Sequence, residues 1–240
     1  MADVPRLSVV VPFYNERENV APLHEEVAGV LDAHPGGVEF VYVDDGSADG
    51  TALALGELAD ADPRVRVISL VENSGQSAAL EAGFRAARGE IVATLDADLQ
   101  NDPADLPRLL EGLDHADVVN GVRANRQDSW IRKLSSRIGN GFRNAVTGED
   151  VTDVGCSLRV MRREYLDGIF MVRGMHRFLP TLLRMRGARV TERPVNHRPR
   201  KHGESKYGIG NRLWVGLADV FAVRWMQSRY VRYETREREG

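Results

Sequence analysis

The first 120 residues alternate between short runs rich in valine and isoleucine and longer segments with apolar residues at helical spacing. The strands predicted from the short runs are 7–11, 38–43, 65–71, 91–95 and 118–119. The helices predicted between them are 19–33, 51–61, 76–87 and 103–113. This alternation predicts an α/β fold with a mostly parallel sheet and helices on both faces. Ligands bind such sheets beyond the carboxyl ends of the strands, so the polar residues that follow each strand are the candidate site.

The second half of the chain is less regular. Its predicted elements are a helix over 131–146, a strand over 157–161, a helix over 176–185 and a strand over 190–194. A polar stretch over 196–208 then precedes a final helix over about 211–230. Without a repeat or an obvious linker, we expect one domain over 1–210, with halves 1–120 and 121–210, and a C-terminal helix and tail over 211–240.

Charge is divided unevenly between the two halves. Residues 1–120 carry 7 Lys and Arg against 23 Asp and Glu, a net charge of −16, and residues 121–240 carry 25 against 12, a net charge of +13. An acidic half suits cation binding, and a basic half suits phosphates or an anionic membrane surface. Alternatively, both sets are solvated surface charges that neutralise each other to the net charge of −3. We expect no nucleic-acid partner.

Neither a secretory signal nor a transmembrane segment is predicted. The first apolar run is short and is followed at once by charged residues. No run reaches the roughly 18–20 apolar residues that span a bilayer. A single cysteine, Cys156, excludes an internal disulfide framework and fits a reducing compartment. We therefore expect a cytoplasmic protein in which Cys156 is a buried, unreactive thiol.

Two aspartates separated by one residue follow the fourth predicted strand. Residues i and i+2 of a strand point to the same side, so Asp96 and Asp98, with Gln100 beyond them, would offer three oxygen donors to one cation. Mg²⁺ or Mn²⁺ prefers such ligands and commonly takes substrate phosphates as further ligands. The alternative is an acidic turn that caps the next helix, but Asp102 followed by Pro103 already provides that cap.

Polar residues also follow the first two strands. After the first strand, Pro12, Tyr14 and Glu16 would offer an aromatic ring and a carboxylate to a nucleotide. After the second strand, Asp44 and Asp45 would hydrogen-bond a base or a ribose. The later pair in this segment, Asp49 and Thr51, is interpreted as capping the next helix.

The phosphate-binding loops of two other enzyme classes are missing. No Gly-x-Gly-x-x-Gly follows the first strand and no Gly-x-x-x-x-Gly-Lys-Ser/Thr occurs in the chain. Their absence disfavours a dinucleotide oxidoreductase and a P-loop kinase. Instead, Asn73-Ser74-Gly75-Gln76 begins the third helix, where free backbone N–H groups would meet a ligand, or where a turn with an N-cap would suffice.

In this order the motifs resemble those of family 2 glycosyltransferases, especially the dolichyl- or polyprenyl-phosphate mannose synthases. The nucleotide-sugar half of that family is matched by residues 11–16, 44–47, 73–75 and 96–100, and the acceptor half by 155–159 and 200–207. The resemblance implies the GT-A fold, a Rossmann-like sheet flanked by helices, here with a C-terminal amphipathic helix. It also implies inverting, metal-dependent transfer of a hexose, with mannose favoured, from GDP-mannose or UDP-glucose to a polyprenyl or dolichyl phosphate.

The resemblance further implies roles for residues of the donor half. The segment 12–16 and Asp44 correspond to the nucleoside site of the family. The ligands of Mg²⁺ or Mn²⁺, which would bridge the donor diphosphate, correspond to Asp96, Asp98 and Gln100.

In the acceptor half, the resemblance implies a set of phosphate-binding residues. An arginine near the donor phosphates corresponds to Arg123, and the lipid phosphate would be received by Arg132 and Ser136. On a loop, Arg200 and Lys206 would complete this cationic pocket. An acceptor phosphate is already an anion at neutral pH, so it needs positioning by Arg and Lys rather than a strong general base.

Two features stand apart from these roles. The usual Asp-x-x-Ser-Gly-Phe-Arg pattern of the family is altered in residues 153–159, which puts the sugar specificity in question. Because the mechanism does not require a catalytic histidine, His176, His197 and His202 are interpreted as structural.

The final helix carries an apolar stripe flanked by arginines. Its members at helical spacing are Trp214, Leu217, Phe221 and Trp225. Such a helix would lie at a membrane interface, as a peripheral contact at the cytoplasmic face. Alternatively, the stripe packs on the core or on the transmembrane helices of a membrane-anchoring partner subunit.

Three rival functions share parts of this pattern. A glycosyltransferase acting on a saccharide hydroxyl would need a catalytic carboxylate base, for which the basic half offers few candidates. A sugar nucleotidyltransferase would carry a glycine-rich, basic loop after the first strand, which is missing here. A non-catalytic membrane adaptor on a transferase fold would not need the acidic pair or the basic loop residues that the chain retains.

Overall fold

The computed structural model describes residues 4–124, 130–199 and 212–231, of which 130–138 and 212–214 are described by their backbone alone. Its strands are β1 (Leu7–Phe13), β2 (Val38–Asp44), β3 (Val65–Ser69), β4 (Ile91–Thr94), β5 (Val118–Arg123), β6 (Arg159–Arg162) and β7 (Val190–Val195). Its α-helices are α1 (Val20–Leu31), α2 (Thr51–Ala61), α3 (Gln76–Ala86), α4 (Leu106–Glu111), α5 (Trp130–Thr147), α6 (Leu179–Met185) and α7 (Arg212–Arg229).

The strands form one seven-stranded sheet in the order β3-β2-β1-β4-β6-β5-β7. Every neighbouring pair is parallel except those of β6, which is antiparallel to both β4 and β5. The sheet is therefore mostly parallel, as predicted. Because β6 runs in the opposite direction, its beginning lies at the edge where its neighbours end, with Arg159 opposite Thr94. The segment before Arg159 is thereby placed beside the end of β4.

Alternating side chains of the central strands fill two hydrophobic layers. Val9 and Val11 of β1 belong to one core cluster together with residues of α1 and α4, whereas Val10 belongs to the other, with Leu80 and Phe84 of α3. This is the period of two that a strand buried on both faces requires. Both faces of the sheet are covered, so polar groups can collect only at its edges and ends.

One glycine fixes the approach of α3 to the sheet. A Cβ atom at Gly83 would lie 2.3 Å from Cγ1 of Val10 and 3.2 Å from Cγ2 of Val43. Only a residue without a side chain allows the helix to pack this closely. The start of α3, which carries Gln76 and Ser77, is therefore held close to the ends of the strands.

The C-terminal helix α7 contributes to the core by only part of its surface. Val220 and Val223 are buried in the second cluster, whereas Phe221 and Trp225 are 57% and 64% exposed. The predicted stripe therefore does not pack on the core at these two positions. Within the described ranges, no helix combines the length and the hydropathy needed to cross a bilayer.

The structure corrects several predicted boundaries. The strand predicted over 65–71 ends at Ser69 and is a partly exposed edge strand, and Val71 is fully exposed. The predicted helix 176–185 is a 3₁₀ turn, Met175–Phe178, followed by α6, because Pro180 lacks the N–H needed for an uninterrupted helix. The predicted helix 103–113 likewise begins as a 3₁₀ turn, where the Asp102 carboxylate accepts from the Ala104 N–H as the predicted cap.

Candidate active site

The ends of β1 and β2 are tied together by hydrogen bonds between their following loops. Asn15, with a φ of 50°, donates its N–H to Ser47 Oγ at 2.9 Å, and Glu16 donates its N–H to Thr51 Oγ1 at 2.9 Å. Tyr14, which follows β1 and precedes Asn15, is 36% exposed. The predicted nucleotide residues of the first loop thus lie beside those of the second, with an aromatic face accessible to a ligand.

The two aspartates after β2 have different partners. Asp44 is buried and accepts from the Ser47 N–H at 3.3 Å, so it shapes its own turn. Asp45 accepts from the backbone N–H groups of Ser74 and Gly75 at 2.7 and 2.9 Å, and from Asn73 Nδ2 at 2.9 Å. The carboxylate of Asp45 therefore holds the loop that begins α3. The prediction that it contacts the nucleotide is untested.

The acidic pair lies in a turn, not in a strand. β4 ends at Thr94, residues 97 and 98 form a turn, and Leu99 has a φ of 61°. The expectation that strand geometry aligns Asp96 with Asp98 was wrong, because the chain leaves the sheet before the first of them. They nevertheless lie close enough that the Asp98 charge acts on Asp96.

Asp96 is withdrawn from water beside a few hydrogen-bonding and charged side chains. Gln76 donates its side-chain N–H to Asp96 Oδ1 at 2.7 Å, across from the start of α3. Burial and, secondarily, the charge of Asp98 raise the pKa of Asp96 to about 6. A hydrogen bond from Ser157 and the positive charges of nearby arginines partly oppose this rise. A bound cation would stabilise the ionised form of both carboxylates.

The acidic turn fits a divalent ion only with help from a substrate. No group of three His, Cys, Asp or Glu residues comes together as a metal site in the part of the chain that the structure describes. Asp96 and Asp98 are two carboxylates, and the Gln100 side-chain N–H reaches the Arg198 carbonyl at 3.4 Å. Mg²⁺ is commonly held by one or two carboxylates with substrate phosphates as further ligands, a donor set that these residues fit.

Arg123, predicted to lie near the phosphates, forms a bidentate ion pair with Asp153. Its Nε donates to Oδ2 at 2.7 Å and its Nη2 to Oδ1 at 2.8 Å. The Arg123 side chain is 17% exposed and that of Asp153 is 8% exposed. The pair fixes the guanidinium beside the acidic turn, where its charge lowers the pKa of Asp96. Arg123 therefore lies at the site, with one edge of its guanidinium held by Asp153.

A second buried arginine connects the two halves of the chain. Arg159, at the beginning of β6, donates from Nε to Asn120 Oδ1 at 2.7 Å, from Nη1 to the His176 carbonyl at 3.0 Å and from Nη2 to the Val154 carbonyl at 3.1 Å. His176 in turn lies 2.9 Å from Ser77 Oγ through its Nδ1. These contacts join β5, β6 and the turn before α6 to the start of α3.

These groups surround a cavity of about 540 Å³ between the two halves. The donor half contributes Gln76, Ser77 and Asp96, and the acceptor half contributes polar and basic side chains that include Ser157, Arg159, Arg173, His176 and Arg177. Cys156 also lines the cavity, but it is 1% exposed and burial raises its thiol pKa to about 11. The expectation that the thiol is buried is confirmed.

The remaining predicted site residues fall outside what the structure describes. The side chains of Arg132 and Ser136 lie in the part of α5 described by its backbone alone, and Arg200 and Lys206 lie within 200–211. Their assignment to the acceptor phosphate stays a prediction. Whether the basic loop faces the acidic turn is likewise untested.

Three residues in or beside the cavity were given no functional role from the sequence. Arg159 was recognised as part of a motif without a role, Asp153 was noted only for its altered pattern, and His176 was interpreted as structural. The first two could have been found from the sequence, because both belong to the family motif in segment 153–159. No pattern indicated that Ser77 and His176, which are 99 positions apart, would meet.

Comparison with known proteins identifies the family to which the chain is similar. The family model described as glycosyl transferase family 2 matches residues 8–170. The undecaprenyl-phosphate 4-deoxy-4-formamido-L-arabinose transferase of Edwardsiella ictaluri is 42% identical over 205 residues, which cover 85% of this chain and 63% of that protein. The dodecaprenyl-phosphate galacturonate synthase of Rhizobium johnstonii is 37% identical over 236 residues, covering 96% of this chain and 68% of that protein. The chain thus spans about two thirds of the length of these relatives.

Solved structures agree with the fold. A mannosyltransferase from Pyrobaculum calidifontis, in complex with GDP-Man and Mn²⁺, superposes with a TM-score of 0.64 at 24% identity, covering 93% of this chain and 64% of the other. Glucosyl-3-phosphoglycerate synthase from Mycobacterium tuberculosis superposes with a TM-score of 0.66 at 20% identity, covering 93% and 80%. At these identities the likeness is one of fold alone. Together with the family match, it shows that the chain belongs to glycosyl transferase family 2 and has the GT-A fold.

Proposed function

We propose that this chain transfers a sugar from a nucleotide diphosphate to a polyprenyl phosphate at a membrane surface. The observation that carries the proposal is the cavity between the halves, which is lined by Asp96 together with three arginines, Arg159, Arg173 and Arg177. A reaction between two phosphate-bearing substrates needs both a cation site and a cationic pocket. The names of the two relatives, each a polyprenyl-phosphate sugar transferase or synthase, support this choice.

The donor would lie along the carboxyl ends of three parallel strands. The joined loops after β1 and β2 would hold the nucleoside through Pro12, Tyr14, Glu16 and Asp44, and the diphosphate would reach the acidic turn after β4. Asp96, Asp98 and Gln100 would hold Mg²⁺ or Mn²⁺, an ion whose chemistry is to neutralise the charge that grows on a leaving diphosphate. Gln76 positions the Asp96 carboxylate for this role.

The chemical step would be a single displacement. An oxygen of the acceptor phosphate forms a bond to C1 of the sugar while the bond from C1 to the diphosphate oxygen breaks, so the nucleoside diphosphate leaves and C1 is inverted. The acceptor is already ionised, and the task of Arg200 and Lys206, with Arg132 and Ser136, would be to position it. Arg123 would lie near the donor phosphates. A hydroxyl acceptor would instead require a free carboxylate base, and Asp153, a carboxylate of the acceptor half beside the site, is paired with Arg123.

A screen of nucleotide sugars would identify the sugar that is transferred. The resemblance favours mannose, whereas the names of the relatives specify a formamido-arabinose and a galacturonate. GDP-mannose, UDP-glucose and UDP-galacturonate, each labelled in the sugar, would be incubated with the chain, Mn²⁺ and undecaprenyl phosphate. We expect one donor to give a labelled lipid, with undecaprenol as the matched acceptor that lacks the phosphate. Equal labelling of undecaprenol would refute the phosphate acceptor, and an absence of both transfer and donor hydrolysis would favour the non-catalytic adaptor.

The apolar outer surface of α7 would contact the membrane. Phe221 and Trp225 are exposed there, Phe142 of α5 lies edge-on to Phe221 at 6.2 Å, and Arg224 and Arg229 are exposed nearby. Aromatic side chains flanked by arginines suit an anionic interface. This proposal implies a peripheral location at the cytoplasmic face, either alone or beside an anchoring partner subunit.

Vesicle sedimentation tests this contact. Wild type should bind phosphatidylglycerol vesicles more strongly than phosphatidylcholine vesicles, and a Phe221→Ser, Trp225→Ser variant should lose most of this binding. Leu53→Ser is the matched control, because Leu53 is 65% exposed on α2, in the donor half. Equal vesicle binding by the double variant and the control would contradict membrane contact through α7.

A further inference from the structure

We propose that His176 donates a hydrogen bond from Nε2 to an oxygen of the donor sugar, and that Ser77 holds its imidazole in the tautomer that makes this possible. The inference rests on the proposed function and assigns part of the sugar site. His176 would contact the substrate and contribute to sugar specificity. Ser77 would act through it as a positioning residue.

The hydrogen bonds of Ser77 determine the tautomer. Ser77 Oγ accepts the backbone N–H of His176 at 3.3 Å and lies 2.9 Å from its Nδ1. Ser77 is 3% exposed although it borders the cavity, so its single hydroxyl hydrogen has little access to water and favours an acceptor in the protein. Among the described residues, His176 Nδ1 is the acceptor within reach. Nδ1 therefore accepts and carries no hydrogen, and in a neutral ring the hydrogen lies on Nε2.

Three contacts hold the imidazole in place. Ser77 binds both the backbone N–H and Nδ1 of His176, and Arg159 donates to its backbone carbonyl at 3.0 Å. Arg159 is itself buried and bonded to Asn120. A side chain fixed through its own backbone and one ring nitrogen loses little further freedom when the other nitrogen binds a ligand.

The surroundings keep the ring uncharged. Burial, followed by the positive charges of Arg177 and Arg159, lowers the pKa of His176 to about 4. At neutral pH the ring is therefore a neutral donor. A neutral N–H suits a sugar oxygen, which carries no charge to be paired.

The position of the ring indicates which part of a substrate it meets. Ser77 follows Gln76 in the chain, and Gln76 holds Asp96, where the donor diphosphate would lie. The sugar is bonded directly to that diphosphate, so it would enter the same cavity. His176 lines this cavity, and no described residue forms a hydrogen bond with its Nε2. This N–H is thus available to a pyranose ring bound in the cavity beside Asp96.

Calorimetric titration with paired ligands tests the contact. GDP-mannose, UDP-glucose and UDP-galacturonate are compared with GDP and UDP, in the presence of Mn²⁺, for wild type, His176→Phe and His176→Gln. His176→Phe should weaken binding of the nucleotide sugar by roughly threefold to tenfold, the worth of one neutral hydrogen bond, and leave the nucleoside diphosphate unchanged. His176→Gln, which retains an N–H near Nε2, should recover part of the loss. His115→Gln, at an exposed position outside the cavity, is the control.

Nitrogen-15 NMR of the histidine side chains tests the tautomer without any activity. Wild type at pH 7 should show His176 with its hydrogen on Nε2, and Ser77→Ala should lose this preference. A wild-type His176 with its hydrogen on Nδ1, or a protonated ring at pH 7, would overturn the inference.

The two measurements separate this inference from the proposed function. Equal losses of nucleotide sugar and nucleoside diphosphate in His176→Phe would overturn the sugar contact while leaving sugar transfer intact. A wild type that binds none of the three nucleotide sugars would instead overturn the proposed function, and the inference with it.

Discussion

Replacing Asp153 with asparagine removes the charge that holds Arg123 beside the acidic turn. The asparagine has nearly the same shape and retains one acceptor oxygen. In the native protein Asp153 accepts from Arg123 Nε and Nη2 at 2.7 and 2.8 Å and from the Gly155 N–H at 3.1 Å. The substitution therefore leaves a guanidinium without its carboxylate in a poorly hydrated place.

The size of the effect follows from burial and geometry. A hydrogen bond to a charged group contributes about 1.5–3 kcal/mol, and breaking a fully buried ion pair costs about 3–5 kcal/mol. Arg123 is 17% exposed, so water replaces part of the lost interaction, and asparagine keeps one acceptor. We expect Asp153→Asn to lower the free energy of unfolding by about 2–4 kcal/mol.

Urea unfolding at pH 7, followed by circular dichroism, measures this change. The control is Asp167→Asn, which breaks the Arg163–Asp167 pair at 3.1 Å, where the side chains are 37% and 60% exposed. Exposed pairs contribute at most about 1 kcal/mol, so the control should be close to wild type. Arg123→Met and the double variant complete a cycle, for which we expect a coupling energy of at least about 1 kcal/mol.

Two results would refute this reasoning. One is a loss in Asp153→Asn no larger than that of the surface control. The other is a coupling energy near zero, which would mean that the two side chains contribute independently despite their bidentate geometry. A decrease in sugar transfer by Asp153→Asn would be expected in addition, because Arg123 would no longer be fixed near the phosphates.

Three further outcomes are expected. Asp98→Ala should reduce the rate of sugar transfer by at least about 100-fold without changing the unfolding midpoint. Chelation of divalent ions should reduce transfer by wild type to a similar extent. Near-normal transfer by the variant in metal-free buffer would reject the metal assignment. Gly83→Ala should lower the free energy of unfolding by about 1–3 kcal/mol, because overpacking outweighs the higher helix propensity of alanine. Gly29→Ala should cause no such loss, because no atom lies within 4 Å of the new Cβ. A hydrogen bond from Arg64 lowers the pKa of Asp62 to about 2, so the Asp62 carboxylate stabilises the fold above about pH 4 and loses this contribution as the pH falls. The difference in unfolding free energy between wild type and Asp62→Asn, measured by urea unfolding, should therefore shrink between pH 4 and 2. A constant difference would contradict this.

Much of the fold was predictable because its signals are local. Valine-rich runs of the right length predicted β1, β2 and β4 to within two residues, and helical spacing predicted α2 at its observed bounds. Fully buried strands can be recognised from their composition, since nearly every side chain must be apolar. The edge strand β3 was predicted too long because Val71 is apolar but exposed, and apolarity alone does not report burial.

The chemical types present at the site were also predictable, but their arrangement was not. Asp96 and Asp98 were identified from their spacing, although the geometric reason was wrong, since the chain turns before them. For Asp45 the sequence did not indicate that its carboxylate accepts from the backbone N–H groups of residues 74 and 75, and its predicted contact with a ligand stays a prediction. A side chain's partner depends on which segment packs against it, and the residue's own neighbours in sequence do not record this.

The sequence by itself determined the α/β class, the order of the elements, the division of charge and the family motifs, because each is written in consecutive or periodically spaced residues. Only the tertiary structure decided that β6 runs antiparallel between β4 and β5, which brings Arg159 to the ligand edge of the sheet. It also decided that Ser77 meets His176 and that Phe221 and Trp225 are exposed. Contacts across many tens of residues are set by the packing of whole elements, which no local pattern encodes.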